Sequence, residues 1–381
     1  MNDRSGKYIS NLYGKLEYKS FKPSSLPPKP GIIYDTYLVE LISEANRQIG
    51  VLNGISKKIP NIDLFIALYV RKEALLSSQI EGTQATLDDI LNPYLDDNKN
   101  QDIGDVINYI YAAKYGKEMM EELPISSILL KEIHQKLMKN IRGSEKKPGE
   151  FRNTQNWIGH GGSTLQTATF VPPNIEDMTD ALAELDIFIN TDDNLDPLVK
   201  AALIHYQFET IHPFLDGNGR IGRLLILLFL MNNKILNSEV LYISYFLKNN
   251  QVEYYDRLME VRQKGNYEQW LKFFLLAIRE SSTDAIETIE RMQLLHDMNS
   301  DYIKVLGRKS KTVMTVFNYV ESNPIIDIGK TSKELNLSYN AVAGAVSELV
   351  NLGILVQEKT NKRNRVFSYE DLLDILRKDT L

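Results

Sequence analysis

Much of the chain repeats apolar residues at the spacing of an α-helix. Residues 37–51 and 63–80 both place apolar side chains at positions i, i+3 and i+4, which predicts two amphipathic helices. The second helix is expected to stop at Gly82, because glycine accepts the left-handed turn that ends a helix without steric cost. Ahead of both helices, residues 21–30 contain four prolines and should form an extended lead-in.

The middle of the chain is also helical, with one interruption that stands out. Helical periodicity runs from residue 175 to about 281 and is strongly broken only at 210–223. A further helix of mixed polar and apolar character is expected near 285–298. Residues 148–173 lack this period and are rich in Gly, Thr, Asn and aromatic residues. Because 164–171 reads as extended chain, we expect a loop with a short β-hairpin there.

The tail of the chain, from residue 313, follows a different order of elements. Residues 328–350 predict a helix, a turn and a second helix, with Ser338 and Asn340 near the start of the second, where capping side chains belong. Two short strands follow, one on each side of a charged turn at 359–365. This is the order of a winged helix-turn-helix.

Composition limits the classes of function. The chain has 381 residues, enough for two or three domains, and its 43% hydrophobic and 25% charged residues suit a packed soluble protein. It has no cysteine, which excludes disulfides, thiolate metal sites and cysteine nucleophiles. None of its five histidines forms an H-E-x-x-H pair, so a histidine zinc site is not expected. The net charge of −6 argues against a nucleic-acid coat.

We expect a cytoplasmic protein that does not span a membrane. Residues 1–19 are polar and charged and lack the apolar centre of a signal peptide. The longest strongly apolar run, 224–231, is far shorter than the ~20 residues that a spanning helix requires. This run should therefore be a helix of the core.

The break at 212–223 concentrates residues that suit phosphate chemistry. Its sequence is HPFLDGNGRIGR, and it lies between two apolar helices. The glycine-rich turn at 217–219 leads into a helix, and free N–H groups at the positive end of a helix dipole bind phosphate oxygens. Arg220 and Arg223 are three positions apart, so they should leave the same side of that helix and reinforce the anion site.

Two further residues of this loop are suited to carry the reaction. Asp216 is placed to hold a hard cation such as Mg²⁺ together with phosphate oxygens and water. His212 is placed to accept a proton from an attacking hydroxyl, since an imidazole is a suitable base at neutral pH. The set fits phosphoryl or nucleotidyl transfer, but not a Walker-A loop, because no G-K-[ST] is present. The alternative, a structural turn with solvated charges, is disfavoured by the density of polar groups.

The loop resembles the core motif of the Fic-domain family, H-x-F-x-(D/E)-G-N-G-R-x-x-R, at every defined position. The resemblance implies a mainly α fold with a short β-hairpin flap, and transfer of AMP from ATP to a target protein. It implies that His212 deprotonates a Ser, Thr or Tyr hydroxyl and that Asp216 holds Mg²⁺ between the α- and β-phosphates. The residues that would bind the ATP phosphates are Gly217, Asn218, Gly219, Arg220, Ile221, Gly222 and Arg223, with the two arginines at the β- and γ-phosphates.

A second feature of the same family is an inhibitory helix with the pattern (S/T)-x-x-x-E-(G/N). Ser77, Glu81 and Gly82 match this pattern. The resemblance implies that Glu81 pairs with Arg223, denies the γ-phosphate its partner and holds the enzyme inactive. Independently, a carboxylate in the last turn of a helix opposes the helix dipole, so Glu81 is better placed beside a cation. Without the loop, Glu81 would be interpreted as a solvated surface residue.

Two more sites follow from the resemblance. The family's flap, which aligns a target peptide by strand addition, corresponds to residues 162–173. Its candidate docking residues are Thr167, Ala168, Thr169 and Phe170, which apart from the family would form only a surface hairpin. The adenine pocket corresponds to a segment that contains Tyr245, Asn249, Tyr254 and Tyr255, of which Asn249 is the candidate contact. Aromatic residues at helical spacing otherwise belong to the core.

The sequence therefore predicts four regions. They are an N-terminal helical region with the inhibitory helix (1–110), a Fic core (111–285), a linker helix (286–312) and a winged-helix domain (313–381). From residue 302 onward, Lys and Arg exceed Asp and Glu by twelve to nine. Basic residues of the wing, Lys359, Lys362, Arg363 and Arg365, suit DNA phosphates, which would require a homodimer. The equal alternative is a protein-interaction or dimerisation module.

Three functions remain open from the sequence. The first is a protein adenylyltransferase that uses ATP and Mg²⁺ to modify a hydroxyl of a target protein or of itself. The second is a nucleotide-sensing DNA-binding regulator. The third is removal of AMP from a modified target, in which Glu81 would position a water molecule. The intact loop favours the first.

Overall fold

The computed structural model describes residues 4–57, 62–94, 100–139, 146–358, 365–378 and 380. In this part of the chain the fold is mainly helical, as predicted, with fifteen α-helices and five short strands. Among the described helices, none combines the length and the apolar character that crossing a bilayer would need.

The N-terminal part is a β-hairpin followed by five helices. These elements are β1 (Gly6–Asn11), β2 (Tyr18–Pro23), α1 (Thr36–Ser56), α2 (Ile62–Ile80), α3 (Leu87–Leu91), α4 (Gln101–Met119) and α5 (Ser127–Leu137). The two helices predicted first are α1 and α2, and Gly82 has a φ of +98° just beyond α2. The hairpin, in which Gly6 pairs with Pro23 and Asn11 with Tyr18, was not predicted, because most of its side chains are not buried.

The middle part contains six helices. They are α6 (Ile175–Asn190), α7 (Pro197–Ile211), α8 (Asn218–Asn232), α9 (Ser244–Asn249), α10 (Gln251–Lys264) and α11 (Tyr267–Lys304). The prediction of a single interruption is wrong, because the helices also break at 191–196, 233–243 and 265–266. Asp196 caps α7 ahead of Pro197, and Gly265 ends α10 at a φ of +68°. The region boundary drawn between 285 and 286 falls inside α11.

The tail contains the predicted helix, turn, helix and two strands. Its elements are α12 (Ser310–Ser322), β3 (Ile325–Asp327), α13 (Ile328–Glu334), α14 (Tyr339–Asn351), β4 (Val356–Gln357), β5 (Val366–Ser368) and α15 (Glu370–Arg377). Ser338 caps α14 by accepting from the Ala341 N–H at 3.2 Å. The strands form an antiparallel sheet in the order β3-β5-β4. Of the charged turn, Lys359, Lys362 and Arg363 lie outside the described residues, whereas Arg365 precedes β5.

The loop at 148–173 contains much less strand than predicted. Its only β pairing among the described residues is a bridge between Ile158 and Phe170. Thr164 and Thr167, expected in an extended run, close a turn in which the Thr164 N–H donates to the Thr167 hydroxyl at 2.9 Å. Threonine hydroxyls that bond local backbone compete in this way with strand pairing. The N–H of Phe21 in β2 donates to the Val171 carbonyl at 2.9 Å, so the N-terminal hairpin lies beside this loop.

The two helices that flank the chemical loop lie at the centre of the fold. Every residue of α7 after Pro197 is buried, and so are nearly all residues of α8 up to Leu230. A helix that is apolar on all sides packs against neighbours in every direction. The loop between α7 and α8 is therefore fixed at both ends by the core.

Candidate active site

The end of α7 places His212 in a strained backbone conformation. His212 has φ 49° and ψ 61°, which lie in the left-handed region. This region is energetically unfavourable for any residue other than glycine. Its N–H donates to the Phe208 carbonyl at 2.9 Å, which closes the helix. Such strain persists only where the surroundings hold the turn firmly.

Arg152 is the main support of this turn. Its side chain donates to the carbonyls of His212 (3.0 Å), Pro173 (2.6 Å) and Ile211 (3.4 Å). Its own N–H donates to the Pro213 carbonyl at 2.9 Å. Burial lowers the pKa of Arg152 to about 10, so the side chain remains charged at neutral pH. Nothing in the sequence around Arg152 indicates this role, because the carbonyls that it binds come from separate segments.

Arg152→Lys is expected to destabilise the protein and to lower its activity. Lysine cannot reproduce the planar set of donors, so buried carbonyls lose their partners at a cost of about 2–4 kcal/mol. Urea unfolding followed by circular dichroism measures the loss. Arg257→Lys is the matched control, because Arg257 is partly exposed on α10, where it pairs with Glu253 and Glu260 and donates to the Gln269 side chain instead of to buried carbonyls. Equal stability of the two variants would contradict this role of Arg152.

Asn218 braces the loop with its side chain. The amide of Asn218 accepts from the N–H of Phe214 and donates to its carbonyl, both at 2.8 Å. The Phe214 ring is fully buried and stacks on His134, with ring centres 3.8 Å apart. His134 accepts from the Gly149 N–H at 2.9 Å and faces the Asp216 carbonyl at 3.1 Å. The side chain of Asn218, a predicted phosphate ligand, is thus already occupied.

Asp216 is ionised and paired with cations. Lys146 lies 2.7 Å from Oδ2, Arg220 lies 3.8 Å from Oδ1, and the Gly217 N–H donates to Oδ1 at 2.6 Å. Burial alone would raise the pKa of Asp216, but Lys146, Arg220 and the Gly217 N–H outweigh it and lower the pKa. Gly217 can close this turn because its φ of +77° suits glycine.

The residues around Asp216 fit one kind of magnesium site. No three His, Asp or Glu side chains converge on a metal position among the described residues. An ionised, partly exposed carboxylate suits a Mg²⁺ ion that takes one protein ligand and completes its shell with phosphate oxygens and water. On binding the ion, the Asp216 carboxylate would give up its contact with Lys146.

Arg220 and Arg223 do not share neighbours, although their spacing predicts that they leave one side of the helix. Arg220 is buried against α4, where it lies 3.4 Å from Asp105, and against the Met138 sulfur at 3.7 Å. Arg223 instead faces α2. Its Nε donates to the Ser77 hydroxyl at 2.8 Å, and its Nη2 donates to the Ser77 carbonyl at 2.7 Å. The two arginines therefore support different parts of the site.

Glu81 forms an ion pair with Arg223, as the sequence predicts. Nη2 of Arg223 lies 2.7 Å from Oε1 of Glu81, with Arg223 1% exposed and Glu81 36% exposed. Burial lowers the pKa of Arg223, but the charge and hydrogen bond of Glu81, together with Tyr254 and Glu209, outweigh it and the net pKa is raised. A Cβ on Gly219 would lie 2.2 Å from Oε1 of Glu81. Glycine at 219 is therefore what lets the carboxylate lie on the start of α8.

These groups line a cavity of about 560 Å³ between α2, the flap loop, α8 and α10. Its walls contain the predicted residues Glu81, Thr169, Phe170, His212, Gly219, Arg223, Tyr254 and Tyr255, together with Trp157, Ile158, Gly159, His160, Glu209, Leu258, Met259 and Arg262. A volume of this size is within the range of small-molecule sites, about 300–1,000 Å³. The cavity thus joins the inhibitory residue, the candidate base and the flap.

Several predicted residues lie elsewhere. Ile221 is buried in the core, and Gly222 packs against Glu209 and Phe208 of α7, so neither lines the cavity. Asn249 is exposed at the end of α9 and lines a separate surface cleft. Thr167 and Ala168 also lie outside the cavity wall. The adenine contact assigned to Asn249 stays a prediction from the sequence.

Arg262 is a further residue that the sequence did not indicate. Its Nε donates to the Thr210 hydroxyl and its Nη2 to the Glu209 carbonyl, both at 3.2 Å. Its guanidinium carbon lies 3.8 Å from the centre of the Phe170 ring, a cation–π contact with the flap. Arg262 thus fixes the flap to the end of α7. Only the tertiary fold brings these elements together.

His212 is neutral at physiological pH. Burial lowers its pKa to about 3, and the charges of Arg262 and Arg152 act in the same direction. A neutral imidazole can accept a proton, and incoming phosphate charge would raise its basicity. His205, a buried histidine of α7, lies between the Gly222 carbonyl at 3.0 Å and the Tyr254 hydroxyl at 2.9 Å.

Comparison with known proteins assigns two segments to one family. Residues 39–118 match the Fic/DOC family N-terminal domain, and residues 124–230 match the Fic/DOC family. Protein adenylyltransferase fic-1 of Caenorhabditis elegans is 33% identical over 115 residues, which are 30% of this chain and 20% of that protein. Protein adenylyltransferase Fic of Drosophila grimshawi is 27% identical over 172 residues, 44% of this chain and 32% of that protein. The similarity therefore spans a third or less of these relatives' own length.

Solved structures share the fold. A Fic family protein from Desulfovibrio desulfuricans superposes with a TM-score of 0.58 at 21% identity, over 88% of this chain and 97% of that one. A Fic domain containing signaling protein from Bacteroides thetaiotaomicron gives a TM-score of 0.51 at 18% identity, over 67% of this chain and 97% of that one. At these identities the likeness establishes the fold.

Proposed function

Because the chain carries both domains of the Fic/DOC family, we propose that it is a protein adenylyltransferase held inactive by helix α2. The observation that carries the proposal is the cavity in which Glu81 pairs with Arg223 above Gly219, while the candidate base His212 lines the same wall. Relatives named protein adenylyltransferase support the reaction class. The substrates would be ATP and a hydroxyl of a target protein or of the chain itself.

In the proposed reaction, a hydroxyl oxygen attacks the α-phosphorus of ATP. A bond forms between that oxygen and phosphorus, the bond to the β-phosphate breaks, and pyrophosphate leaves. His212, neutral before the reaction, takes the hydroxyl proton. Asp216 would hold Mg²⁺, which when bound offsets charge that develops on the phosphates. The start of α8 contributes N–H groups and its positive end to the same charge.

Arg223 is the residue on which inhibition would act. Its Nη2 is saturated by Glu81 and Ser77, at 2.7 Å each, so a phosphate oxygen cannot use it while Glu81 is in place. Because Ser77 lies in the last turn of α2 and Glu81 follows the helix directly, a small movement there would release the arginine. Glu81 is the more exposed partner, so it can leave while Arg223 stays buried.

The flap residues support target docking. Thr169 and Phe170 line the cavity, and exposed Trp157 and Ile158 lie on the paired segment. An extended target peptide placed along this loop would bring its hydroxyl next to His212. Arg262, stacked on Phe170, keeps the loop at this position.

Labelled ATP tests the reaction class. The Glu81→Gly protein is incubated with Mg²⁺ and ATP labelled in either the α- or the γ-phosphate. Retention of the α-label alone on protein supports nucleotidyl transfer, whereas retention of the γ-label would identify phosphoryl transfer and contradict it. Hydrolytic removal of AMP from a pre-modified protein by the wild type, and its loss in Glu81→Gly, would instead favour the third function, in which Glu81 positions a water molecule.

The alternative of a DNA-binding regulator receives less support. The expected recognition helix, α14, contains no lysine or arginine, and its one charged residue, Glu348, pairs with Lys309. Binding to DNA phosphates requires cations on the contacting surface. Binding to DNA, and the homodimer that it would require, stay predictions from the sequence.

A further inference from the structure

A second carboxylate lies beside Arg223. Glu209, in the last turn of α7, is buried and lines the same cavity. A Cβ on Gly222 would lie 2.3 Å from Oε1 of Glu209, just as one on Gly219 would meet Glu81. Residues three positions apart share a face of a helix, so these two glycines leave that face without side chains on two successive turns of α8. The Glu81 carboxylate lies against the first glycine and the Glu209 carboxylate against the second, which directly precedes Arg223.

Glu209 is not fully satisfied in this position. Its Oε1 is buried and makes no hydrogen bond within the described part of the chain. Burial raises the pKa of Glu209 to about 7; the charge of Arg223 opposes this, Glu81 adds to it, and Arg262 opposes it. The groups that face Glu209 are thus Glu81 from α2, Arg223 from α8, and Arg262, Tyr254 and Tyr255 from α10.

We propose that Glu209 is a positioning residue that takes up a proton from solvent when a nucleotide phosphate replaces Glu81 at Arg223. This inference rests on the proposed function. A terminal phosphate carries more negative charge than a carboxylate, and like charges in a buried site disfavour each other's ionised form. A protonated Glu209 removes that repulsion and becomes a hydrogen-bond donor towards the cavity. An ionised Glu209 would repel the phosphate that is bound at Arg223.

The sign of the pH dependence follows from these neighbours. In a Glu81→Gly protein, loss of the Glu81 charge lowers the pKa of Glu209, so Glu209 is mostly ionised at mildly alkaline pH. Nucleotide then raises the pKa of Glu209 and binding draws in a proton. Affinity for ATP must therefore fall as the pH rises through the pKa of the nucleotide-free protein.

Calorimetry of ATP binding tests the proposal. ATP with excess Mg²⁺ is titrated into a Glu81→Gly/His212→Ala protein, which cannot complete the proposed reaction, in two buffers of different ionisation enthalpy. We expect uptake of up to one proton at about pH 7.5, and its loss when Glu209→Gln is added. The glutamine mimics the protonated acid, so its affinity should change little with pH and be about 3- to 10-fold tighter at the alkaline end. ATP itself can also change its ionisation on binding. Subtracting the proton uptake of the Glu209→Gln protein from that of the protein that retains Glu209 removes this contribution.

Controls separate this proposal from the proposed function. Glu321→Gln, a change at an equally buried glutamate on α12 that does not line the cavity, should leave proton uptake unchanged. Binding of ATP with the same proton uptake whether or not Glu209 is present would overturn the role of Glu209 and leave the proposed function standing. Absence of ATP binding in every variant would contradict both. Proton uptake is first measured in the Glu81→Gly/His212→Ala protein, in which Glu209 is unchanged. That result therefore does not depend on whether the Glu209→Gln variant folds.

Discussion

Glu81→Gly is expected to raise the rate of AMP transfer by about 10- to 100-fold. The charge-assisted bond between Glu81 and Arg223 contributes about 1.5–3 kcal/mol, and each 1.4 kcal/mol is a factor of ten. Glu81 is 36% exposed, so solvent screens part of this energy and the lower end of the range is the safer expectation. The measurement is the initial rate at which label from the α-phosphate of ATP enters protein.

The variant Glu81→Ala separates the effect of removing the charge from the effect of a more flexible backbone. Glycine in the turn directly after α2 would also loosen the backbone, whereas Glu81→Ala removes the carboxylate without the backbone freedom of glycine. Both variants should be activated to a similar degree. Activation by glycine alone would show that mobility of α2, rather than the ion pair with Arg223, limits the reaction.

His212→Ala is expected to abolish AMP transfer in the activated Glu81→Gly background. Loss of a general base costs about 10²- to 10⁴-fold, and the one other histidine in the described cavity wall is the exposed His160. ATP should still bind, because the phosphate contacts come from α8 and Arg223. Label incorporation and equilibrium binding of ATP, measured on the same protein, distinguish these two effects.

His160→Ala provides the control for this prediction. His160 lines the same cavity but lies on the exposed loop at 158–163, so its loss should change the rate by less than about tenfold. In addition, kcat/KM should not fall through protonation of His212 between about pH 5 and 8, since burial holds its pKa near 3 before nucleotide binds. Equal losses in the two histidine variants would contradict the assignment of His212 as the base.

The central pair of the site could be predicted because both partners match short motifs of the family that the sequence resembles. The apolar period alone would have left Glu81 as a surface residue after a helix, with no indication that Arg223 is its partner. In the structure, Nη2 of Arg223 lies 2.7 Å from Oε1 of Glu81. The motif also indicated His212 correctly as a cavity residue. The motif does not indicate which side of α8 meets α7, so it could not show that Gly222 packs against Glu209 and Phe208; its role at the phosphates stays a prediction.

The supporting residues could not be predicted, because they act across separate elements. Arg152 binds the carbonyl of His212 at the end of α7 and that of Pro173 in the loop at 148–173, and Arg262 reaches from α10 to the flap. Glu209 lies in a helix that is buried on all sides, where a sequence pattern gives no facing direction. Such buried charges are stable only with their tertiary partners, and those partners have no fixed spacing in sequence.

Helix existence was easier to predict than helix ends. α1, α2 and the tail helices follow the apolar period closely, whereas α6 to α11 were expected as two long helical stretches separated at 210–223 and a further helix near 285–298. Their boundaries depend on local caps such as Asp196 and Gly265, which interrupt the backbone without changing the apolar pattern. The flap was overestimated as strand for a similar reason, since the threonine hydroxyls close a turn.

The most direct test of autoinhibited AMP transfer is the intact mass of three proteins after incubation with ATP and Mg²⁺, alone and with a protein extract as a source of targets. We expect AMP adducts, on the chain or on a target, from the Glu81→Gly protein. The wild type should yield few or none, and the Glu81→Gly/His212→Ala protein none. Equal adduct formation by the wild type and the Glu81→Gly protein, or adducts that persist without His212, would contradict the roles assigned to these two residues.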